Sequence, residues 1–516
     1  GSSTPGCRRS TRKHRVMGGD ESTVGKEGAS RTGAPEARAP RPRDGGEDLS
    51  LPARFAMVAR SSPDRVAVCA PNGRRTTYGE LDVRSGAIAA ALADRGVQPS
   101  EPVAILLDHE PPLVAAIWGV LRAGAMYLYL DPADPASRHR AMVVDAGPRW
   151  LVTDGAHAAR AAVLMDGRTP VVNMDDPGEG HGTVAAWDQV SPEAGAWLMY
   201  TSGSTGQPKG VWQSHRNVIH HAKVYTELAG ISREDRLSML ASAGVAASAT
   251  ALFGATLNGA ALAMFSIRRE GVESLSRWLD EEGITICHLV PSVFRRLARA
   301  PGDTGRWPRM RLLRLGGEAV LLPDVELHRR VCSPDCVLMH ALSSTETGLI
   351  SQLTIGKSTP LPGSVVPAGR PVAGAEVLIL DEACEPCRPG NAGRIAVRSR
   401  YLAMGYWRQP ELTAQAFQAV PDQPGVRQFL SGDVGLLRAD GSLEHHGRAD
   451  RQVKIRGWRV DPGAVEAAIR ATGRAAEAAV VAQNDGGGGV RLAAYVVPVR
   501  GQSNGVTEWR HVLREV

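Results

Sequence analysis

LMYTSGSTGQPKGV, residues 198–211, is the stretch on which the fold turns. Leu198, Met199 and Tyr200 read as the end of an apolar strand. Thr201, Ser202, Gly203, Ser204, Thr205 and Gly206 then offer hydroxyls and bare backbone amides ahead of Lys209. Glycines let main-chain N–H groups approach an anion, the hydroxyls add donors, and the lysine brings a mobile positive charge, so the stretch reads as a phosphate cradle. Its spacing is not that of the GxxxxGK[ST] loop, because Lys209 follows Gly206 by three with Pro208 between them. The apolar strand before it and the Pro-Lys-Gly closure after it argue against a flexible Ser/Gly linker.

The chain around this stretch has 516 residues, 43% of them hydrophobic, enough for two or more domains with sizeable cores. No run of about 18 apolar residues occurs, and the N-terminus has no apolar signal-peptide core, so a soluble cytoplasmic protein with no membrane partner is expected. The net charge of +6 would fit a nucleic-acid partner only if it were spread over a folded face. Instead the excess lies at the start, in Arg8, Arg9, Arg12, Lys13, His14 and Arg15. Residues 1–48 are rich in Gly, Ser, Pro and Arg without hydrophobic period and read as a disordered basic tail, with no nucleic acid implied. Lysine is scarce: of six in the chain, Lys209 and Lys454 fall inside motifs, where a flexible ammonium has a use. Seven cysteines, an odd number, fit a reducing compartment. Cys332 with Cys336 and Cys384 with Cys387 have unequal spacing, and the second pair falls in a hairpin-like stretch, which reads against a four-cysteine zinc site.

In chain order, a helix-like segment from Leu51 leads to a short strand at Val66, Ala67 and Val68, and then to an amphipathic helix over 76–97. The segment 103–132 alternates strand, helix and strand; Gly124 ends its helix and Pro132 stops its strand. Beyond the cradle, apolar runs at 237–241, 261–265, 284–290, 311–315 and 337–341 read as further strands separated by helices. Such alternation implies parallel sheets covered by helices, with ligands beyond the C-terminal ends of the strands. The run 310–320 ends in Gly316, Gly317 and Glu318, where a flat purine has bare backbone to lie against. The run 337–348 ends in Leu342, Ser343, Ser344, Thr345, Glu346 and Thr347, and a lone carboxylate among hydroxyls at a strand end suits Mg2+. Further on, FLSGDVG (429–435) places Asp433 at a tight turn after a strand, ahead of GRADRQVKIRGWRVDPGAVE (447–466).

With these motifs in this order, the chain resembles the adenylate-forming superfamily, specifically the adenylation domains of nonribosomal peptide synthetases, over nearly all of 51–500. Further matches are Thr77, Tyr78, Glu80 and Leu81; Leu121, Arg122, Ala123, Gly124, Tyr127, Asp131 and Pro132; and the Gly-Tyr-Trp within 391–407. The resemblance implies an α/β fold, with a large domain of βα-layered sheets over 49–449 and a small, incomplete α+β domain over 450–516. It implies ATP-dependent activation of a carboxylic acid as an acyl-adenylate, loss of pyrophosphate, and capture by the phosphopantetheine thiol of a carrier protein. By the same resemblance Lys209 and Thr205 serve the pyrophosphate side, Glu346 holds the magnesium, and Asp433 and Arg448 reach the ribose. Asp450 is then the hinge, and Lys454 with Gly457 forms the loop that swings in for thioester formation.

Departures from the family pattern mark the substrate. The family's Tyr-Gly-Pro before Thr-Glu is Leu342, Ser343 and Ser344 here, which removes the ring that stacks on adenine. The family's Phe-Asp-x-Ser, whose Asp pairs with the substrate α-ammonium, is Val245, Ala246, Ala247 and Ser248 in the frame set by Phe253 and Gly259. An ammonium buried there without a partner would cost several kcal/mol, so an ordinary α-amino acid is not expected. The other pocket positions carry over to Thr250, His288, Arg314, Gly316, Ala341, Leu349 and Ile350. Arg314 either faces an additional acidic or oxo group of the substrate or is a structural arginine. At the C-terminus the family's Pro-x-x-x-x-Gly-Lys segment is not met before TEWRHVLREV (507–516). Trp509, Arg510 and Val512 resemble the opening of a methyltransferase domain inserted in some members; a plain amphipathic helix fits equally. An acyl-CoA or aryl-CoA ligase, and a noncatalytic domain that binds nucleotide or carrier protein, are the alternative functions.

Overall fold

The computed structural model describes residues 49–167, 171–175, 189–202, 208–299, 307–361, 365–449, 452–484, 489–499 and 509. The N-terminal tail, Gly203, Ser204, Thr205 and Gly206 of the cradle, Asp450, and 507–516 apart from Trp509 lie outside them.

Short all-apolar strands dictate two sheets buried on both faces. Pro102–Leu106 and Met126–Tyr129 are buried at every position, which a parallel strand covered by helices above and below requires. They belong to a seven-stranded sheet that runs parallel from Val171–Asn173 to Gly195–Ser202 and ends with two antiparallel strands, Pro208–Ser214 and Gly405–Tyr406. A nine-stranded sheet is parallel from Val66–Cys69 through Ala261–Met264, Arg236–Met239, Ile286–Leu289 and Leu312–Gly316 to Val337–Ser344. Its edges, Arg75–Thr77 on one side and Gly348–Ile355 with Arg370–Pro371 on the other, are antiparallel.

Helices Pro111–Arg122, His215–Ala229 and Ala246–Thr256 belong to the main core with both sheets. At its centre Trp118 stacks on Phe55 with ring centroids 4.3 Å apart and meets Phe253 edge-on at 5.7 Å. The Thr77-Tyr78-x-Glu80 element proves to be a helix start. Thr77 and Glu80 form a capping box for the helix Tyr78–Asp94, and the Tyr78 hydroxyl donates to the Ala260 carbonyl at 2.7 Å.

A third sheet was not anticipated from the βα pattern. Glu376–Leu380, Gly393–Ser399, Arg427–Leu437, Phe417–Ala419 and Leu443–Arg448 pair antiparallel throughout. The strand Arg427–Leu437 alternates buried and less buried positions along most of its length, the period-two signature of a sheet with one covered face. This corrects the reading of Asp433, which sits inside that strand rather than at a turn after it. The described strands on either side of the cradle, Gly195–Ser202 and Pro208–Ser214, pair antiparallel, which sets Lys209 opposite Thr201.

Among the described residues, the C-terminal part shares no strand with these sheets. It comprises Val453–Ile455 paired with Trp458–Val460, the helix Pro462–Ala471, and the hairpin of Ala475–Asn484 with Val490–Pro498, packed around Ile469 and Val480. No helix among the described residues is long and apolar enough to cross a membrane.

Candidate functional site

The parallel strands of both large sheets end at one cavity of about 1670 Å3. Thr201, Gly316, Gly317, Glu318, Ser343, Ser344, Thr345, Glu346, Asp433, Arg448 and Lys454, all singled out from sequence, line it. They come from segments as far apart as 201 and 454, which supports a ligand site rather than a packing coincidence.

Glu346 is 2% exposed, at the turn that follows Val337–Ser344. Ser344 and Thr347 bond to each other through their hydroxyls at 2.9 Å beside it, and Gln213 Nε2 donates to the Thr345 carbonyl at 3.2 Å, fixing the turn to the cradle hairpin. The Tyr406 hydroxyl stands 3.4 Å from Glu346 Oε1, and Lys209 Nζ lies 5.5 Å from the centre of the same tyrosine ring. Tyr406 is thus a neighbour of both the lysine and the glutamate. It is held by the short strand pairing it with Val211 and by Thr413 Oγ1, which accepts from its backbone N–H at 2.9 Å. Nothing local to the Gly-Tyr-Trp element marks the tyrosine for this place; its pairing with Val211 brings it there only in three dimensions.

Asp433 and Arg448 face each other in register on neighbouring strands, and Arg448 NH1 donates to Asp433 Oδ1 at 3.2 Å. His445 Nε2 is 3.3 Å from the same oxygen. Burial pushes this carboxyl up, but the His445 hydrogen bond and the charges of His445, Lys454 and Arg448 outweigh it and hold the group at about 2. Asp433 is therefore an ionised acceptor at neutral pH. A carboxyl depressed in the folded state stabilises above its unfolded value, near 3.9, and that contribution fades as pH falls towards 2. Asp433→Asn should accordingly flatten the acid limb of thermal stability between about pH 4 and pH 2, as read by melting temperature against pH.

Glu318 joins the two parts of the chain. It accepts from the Ser292 N–H and hydroxyl, each at 2.9 Å, and from the Gly457 N–H at 3.3 Å. Gly457 has φ +81°, and a Cβ there would come within 2.7 Å of Val290 Cγ1; only glycine lets this loop approach so closely. Next to it the Trp458 ring lies 5.3 Å from the Arg268 guanidinium and 5.9 Å from that of Arg138. Both guanidiniums bind Asp134, at 2.9 and 3.3 Å.

The substrate positions divide into two sets. Ala246, Ala247, His288 and Gly316 line the cavity. A Cβ at Gly316 would sit 2.9 Å from the Ala341 carbonyl, so the bare backbone is enforced. Thr250, Arg314, Ala341, Leu349 and Ile350 do not reach it. Thr250 bonds back to the Ala246 carbonyl, Ala341 and Leu349 pack with Val224 and Val372, and Ile350 enters the main core. Arg314 is 2% exposed and stacks over Tyr225 at 4.9 Å, behind His288, its register partner. Burial, and then the Arg314 charge, push His288 well below its ordinary value and keep it neutral. Leu342 likewise belongs to the core rather than to the cavity wall. The helix Ala246–Thr256 starts at the cavity from Val245, with no side-chain cap and no acidic residue in its first turn.

A family model described as AMP-binding enzyme matches residues 55–407. CymA of Salinispora arenicola (strain CNS-205), named as a probable nonribosomal peptide synthetase, is 36% identical over 471 residues, covering 90% of this chain and 6% of its own. Gramicidin S synthase 2 of Brevibacillus brevis is 32% identical over 450 residues, covering 86% of this chain and 10% of its own. The chain therefore spans a tenth or less of these relatives. An artificially fused adenylation–PCP di-domain from Klebsiella oxytoca superposes with TM-score 0.78 at 23% identity, covering 91% of both chains. o-Succinylbenzoate CoA synthetase of Bacillus subtilis superposes with TM-score 0.77 at 23% identity, covering 90% of this chain and 91% of its own. From the extent of the family match, this chain belongs to the AMP-binding enzyme family, a family of ATP-dependent adenylating ligases.

Proposed function

We propose that the chain activates a carboxylic acid lacking a free α-amino group as its acyl-adenylate and passes the acyl group to the phosphopantetheine thiol of a carrier protein. The observation that carries this reading is the convergence on one cavity of the Glu346 turn, the Asp433–Arg448 pair and the Lys454–Gly457 loop. A carboxylate oxygen of the acid bonds to the α-phosphorus of ATP while the bond to the bridging oxygen breaks and pyrophosphate leaves with the electron pair. Lys209 offsets the charge of that leaving group, with Thr201 and the cradle residues 202–206 donating to it. Asp433 and Arg448 position the ribose, and Gly316, Gly317 and Glu318 with Ser343, Ser344 and Thr345 leave a flat slot for the base.

Glu346, a buried carboxylate beside the hydroxyls of Ser344, Thr347 and Tyr406, fits Mg2+. Bound there, Mg2+ would supply charge neutralisation on the phosphates.

The acid's identity is read from the start of the helix Ala246–Thr256. With Val245, Ala246 and Ala247 there is no carboxylate to pair with an ammonium, and the free helix N-terminus carries about half a positive charge. That field opposes an ammonium and favours a carbonyl or hydroxyl oxygen. Aryl, keto, hydroxy and fatty acids are the classes that fit.

In this reading 49–449 is the large domain and 450–516 the small one, with Asp450 as hinge and any following methyltransferase a fused neighbour. The Lys454–Gly457 loop in the cavity is the arrangement suited to the second, thiol-capture step. Acceptance of coenzyme A instead of a carrier is the second reading, favoured by the CoA synthetase fold likeness.

ATP–pyrophosphate exchange over a panel of acids tests the proposal, and no exchange with any acid would leave a noncatalytic nucleotide- or carrier-binding role. Single-turnover transfer to holo-carrier protein and to coenzyme A then separates the two acceptors. Asp433→Ala should raise the ATP concentration for half-maximal exchange roughly ten- to a hundredfold, matching charged hydrogen bonds of about 1.5–3 kcal/mol. A normal ATP dependence would remove Asp433 from the site. Gly457→Ala should slow acyl transfer about tenfold while leaving exchange within about threefold, since its Cβ would collide with Val290 only when the loop is docked.

A further inference from the structure

Away from the cavity, at the opposite end of Val337–Ser344, His328 and Cys332 lie four apart at the end of the helix Leu322–Val331, and Cys336 follows four further on, just before the strand. All three are buried, at 0%, 4% and 0% exposure. One ring nitrogen of His328 and the two Sγ atoms lie within 4.8 Å of one another. Three points no further apart than this lie within about 2.8 Å of a common centre, so a contraction of about 0.5 Å for sulfur and about 0.7 Å for nitrogen reaches zinc bonding distances. Cys384 and Cys387, the other close pair in sequence, are half-buried and do not join the group.

The surroundings leave the three side chains available for ligation. His328 Nε2 is 3.0 Å from the Cys336 carbonyl, a bond that fixes the ring's orientation as second partners of metal-bound histidines do. Its Nδ1 is buried without a partner among the described residues. The carbonyls at the helix end are met by Lys357 Nζ, at 2.8 Å from His328 O and 2.9 Å from Cys332 O, so neither thiol is needed as a cap. Two thiolates neutralise a doubly charged cation, and the nearby ammonium then faces no net positive charge.

We propose that His328, Cys332 and Cys336 bind a thiophilic divalent cation, with zinc as the chemical match, in a structural site that ties the helix Leu322–Val331 to the root of Val337–Ser344. Binding forms two sulfur–metal bonds and one nitrogen–metal bond and releases the two thiol protons to solvent; no electron is transferred. The same strand carries Ser343 and Ser344 at its far end and leads into Glu346, so the clasp would anchor the strand from behind the catalytic turn.

Metal analysis of the protein purified in zinc-supplemented, chelator-free buffer should give close to one zinc per chain. Cys332→Ser and Cys336→Ser should each lower it at least tenfold, while the Cys384→Ser/Cys387→Ser double variant keeps it. Because serine in a packed core can unfold the chain, the unmodified protein supplies an independent arm. Stripped with a chelator and titrated with Co2+, it should develop a sulfur-to-cobalt charge-transfer band with an end point at one equivalent. Zinc below about a tenth of an ion per chain with no cobalt–sulfur band, undiminished zinc in folded Cys336→Ser protein, or a Cys332–Cys336 disulfide in a peptide map would each overturn the proposal.

Discussion

Lys209→Ala and Glu346→Ala should each slow pyrophosphate exchange by about two to three orders of magnitude, with little change in melting temperature. Removing one preorganised electrostatic contact to a developing charge costs on the order of 3–4 kcal/mol, and each 1.36 kcal/mol is tenfold in rate. Both residues reach the same tyrosine, Lys209 at 5.5 Å from the ring centre and Glu346 at 3.4 Å from the hydroxyl. Tyr406→Phe therefore separates two roles. It keeps the ring under the lysine and removes the hydroxyl that reaches Glu346 at 3.4 Å, so its loss should stay below about tenfold, the size of one ordinary hydrogen bond of about 0.5–1.5 kcal/mol. Exchange rates that are unchanged in both the Lys209 and the Glu346 variants would sink the assignment of the cradle.

Ala246→Asp should invert substrate choice. In the native protein an α-amino acid would place its ammonium against two alanines and a helix N-terminus, and exchange should favour the keto or hydroxy analogue by about a hundredfold or more. The variant introduces a carboxylate at the first position of that helix, where the dipole stabilises it by about 0.3–1 kcal/mol. Facing an uncharged substrate, the same carboxylate is desolvated without a partner, at a cost of about 3–5 kcal/mol. The second effect is larger, so the native substrate should lose two or more orders of magnitude in kcat/KM while amino-acid exchange rises. Clear preference of the native protein for an ordinary α-amino acid would mean that some other residue meets the ammonium.

Why Glu346, Asp433, Arg448 and Lys454 could be singled out in sequence as residues that come together, and the walls of the pocket less so, follows from how each is encoded. Glu346, Asp433, Arg448 and Lys454 stand in short, locally ordered motifs, and local order survives folding, so all four meet at the cavity. The parallel sheets were readable for a related reason, since runs such as Pro102–Leu106 are apolar at nearly every position. The antiparallel sheet was not, because its strands alternate in burial and resemble surface loops without their partners. Asp433 was placed at a turn because Ser431-Gly432-Asp433 reads as one, yet pairing on both sides keeps the strand going to Leu437. Pocket membership depends on which way a strand's side chains alternate and on what lies behind them. Arg314 therefore reads in sequence either as a substrate contact or as a structural arginine, and its guanidinium turns onto Tyr225. The cysteine group escaped notice for the opposite reason: its third member is a histidine one helical turn upstream, outside any pairing of cysteines alone.

In the proposed function, the grip on Trp458 would set a clock. Its ring is held by Arg268 and Arg138, and both guanidiniums are steadied by the single carboxylate of Asp134. Each cation–ring contact is worth about 0.5–2 kcal/mol, so in the proposed two-domain reading the pair would lengthen the residence of the small domain at the cavity by roughly one to three orders of magnitude. Too short a residence would let the acyl-adenylate escape before a thiol arrives; too long a one would hold the next ATP out. Because Asp134 touches neither nucleotide nor acid in the proposed arrangement, substitutions there can tune this interval while leaving both half-reactions chemically intact, which makes a partly exposed aspartate a place where throughput can change without changing what is made.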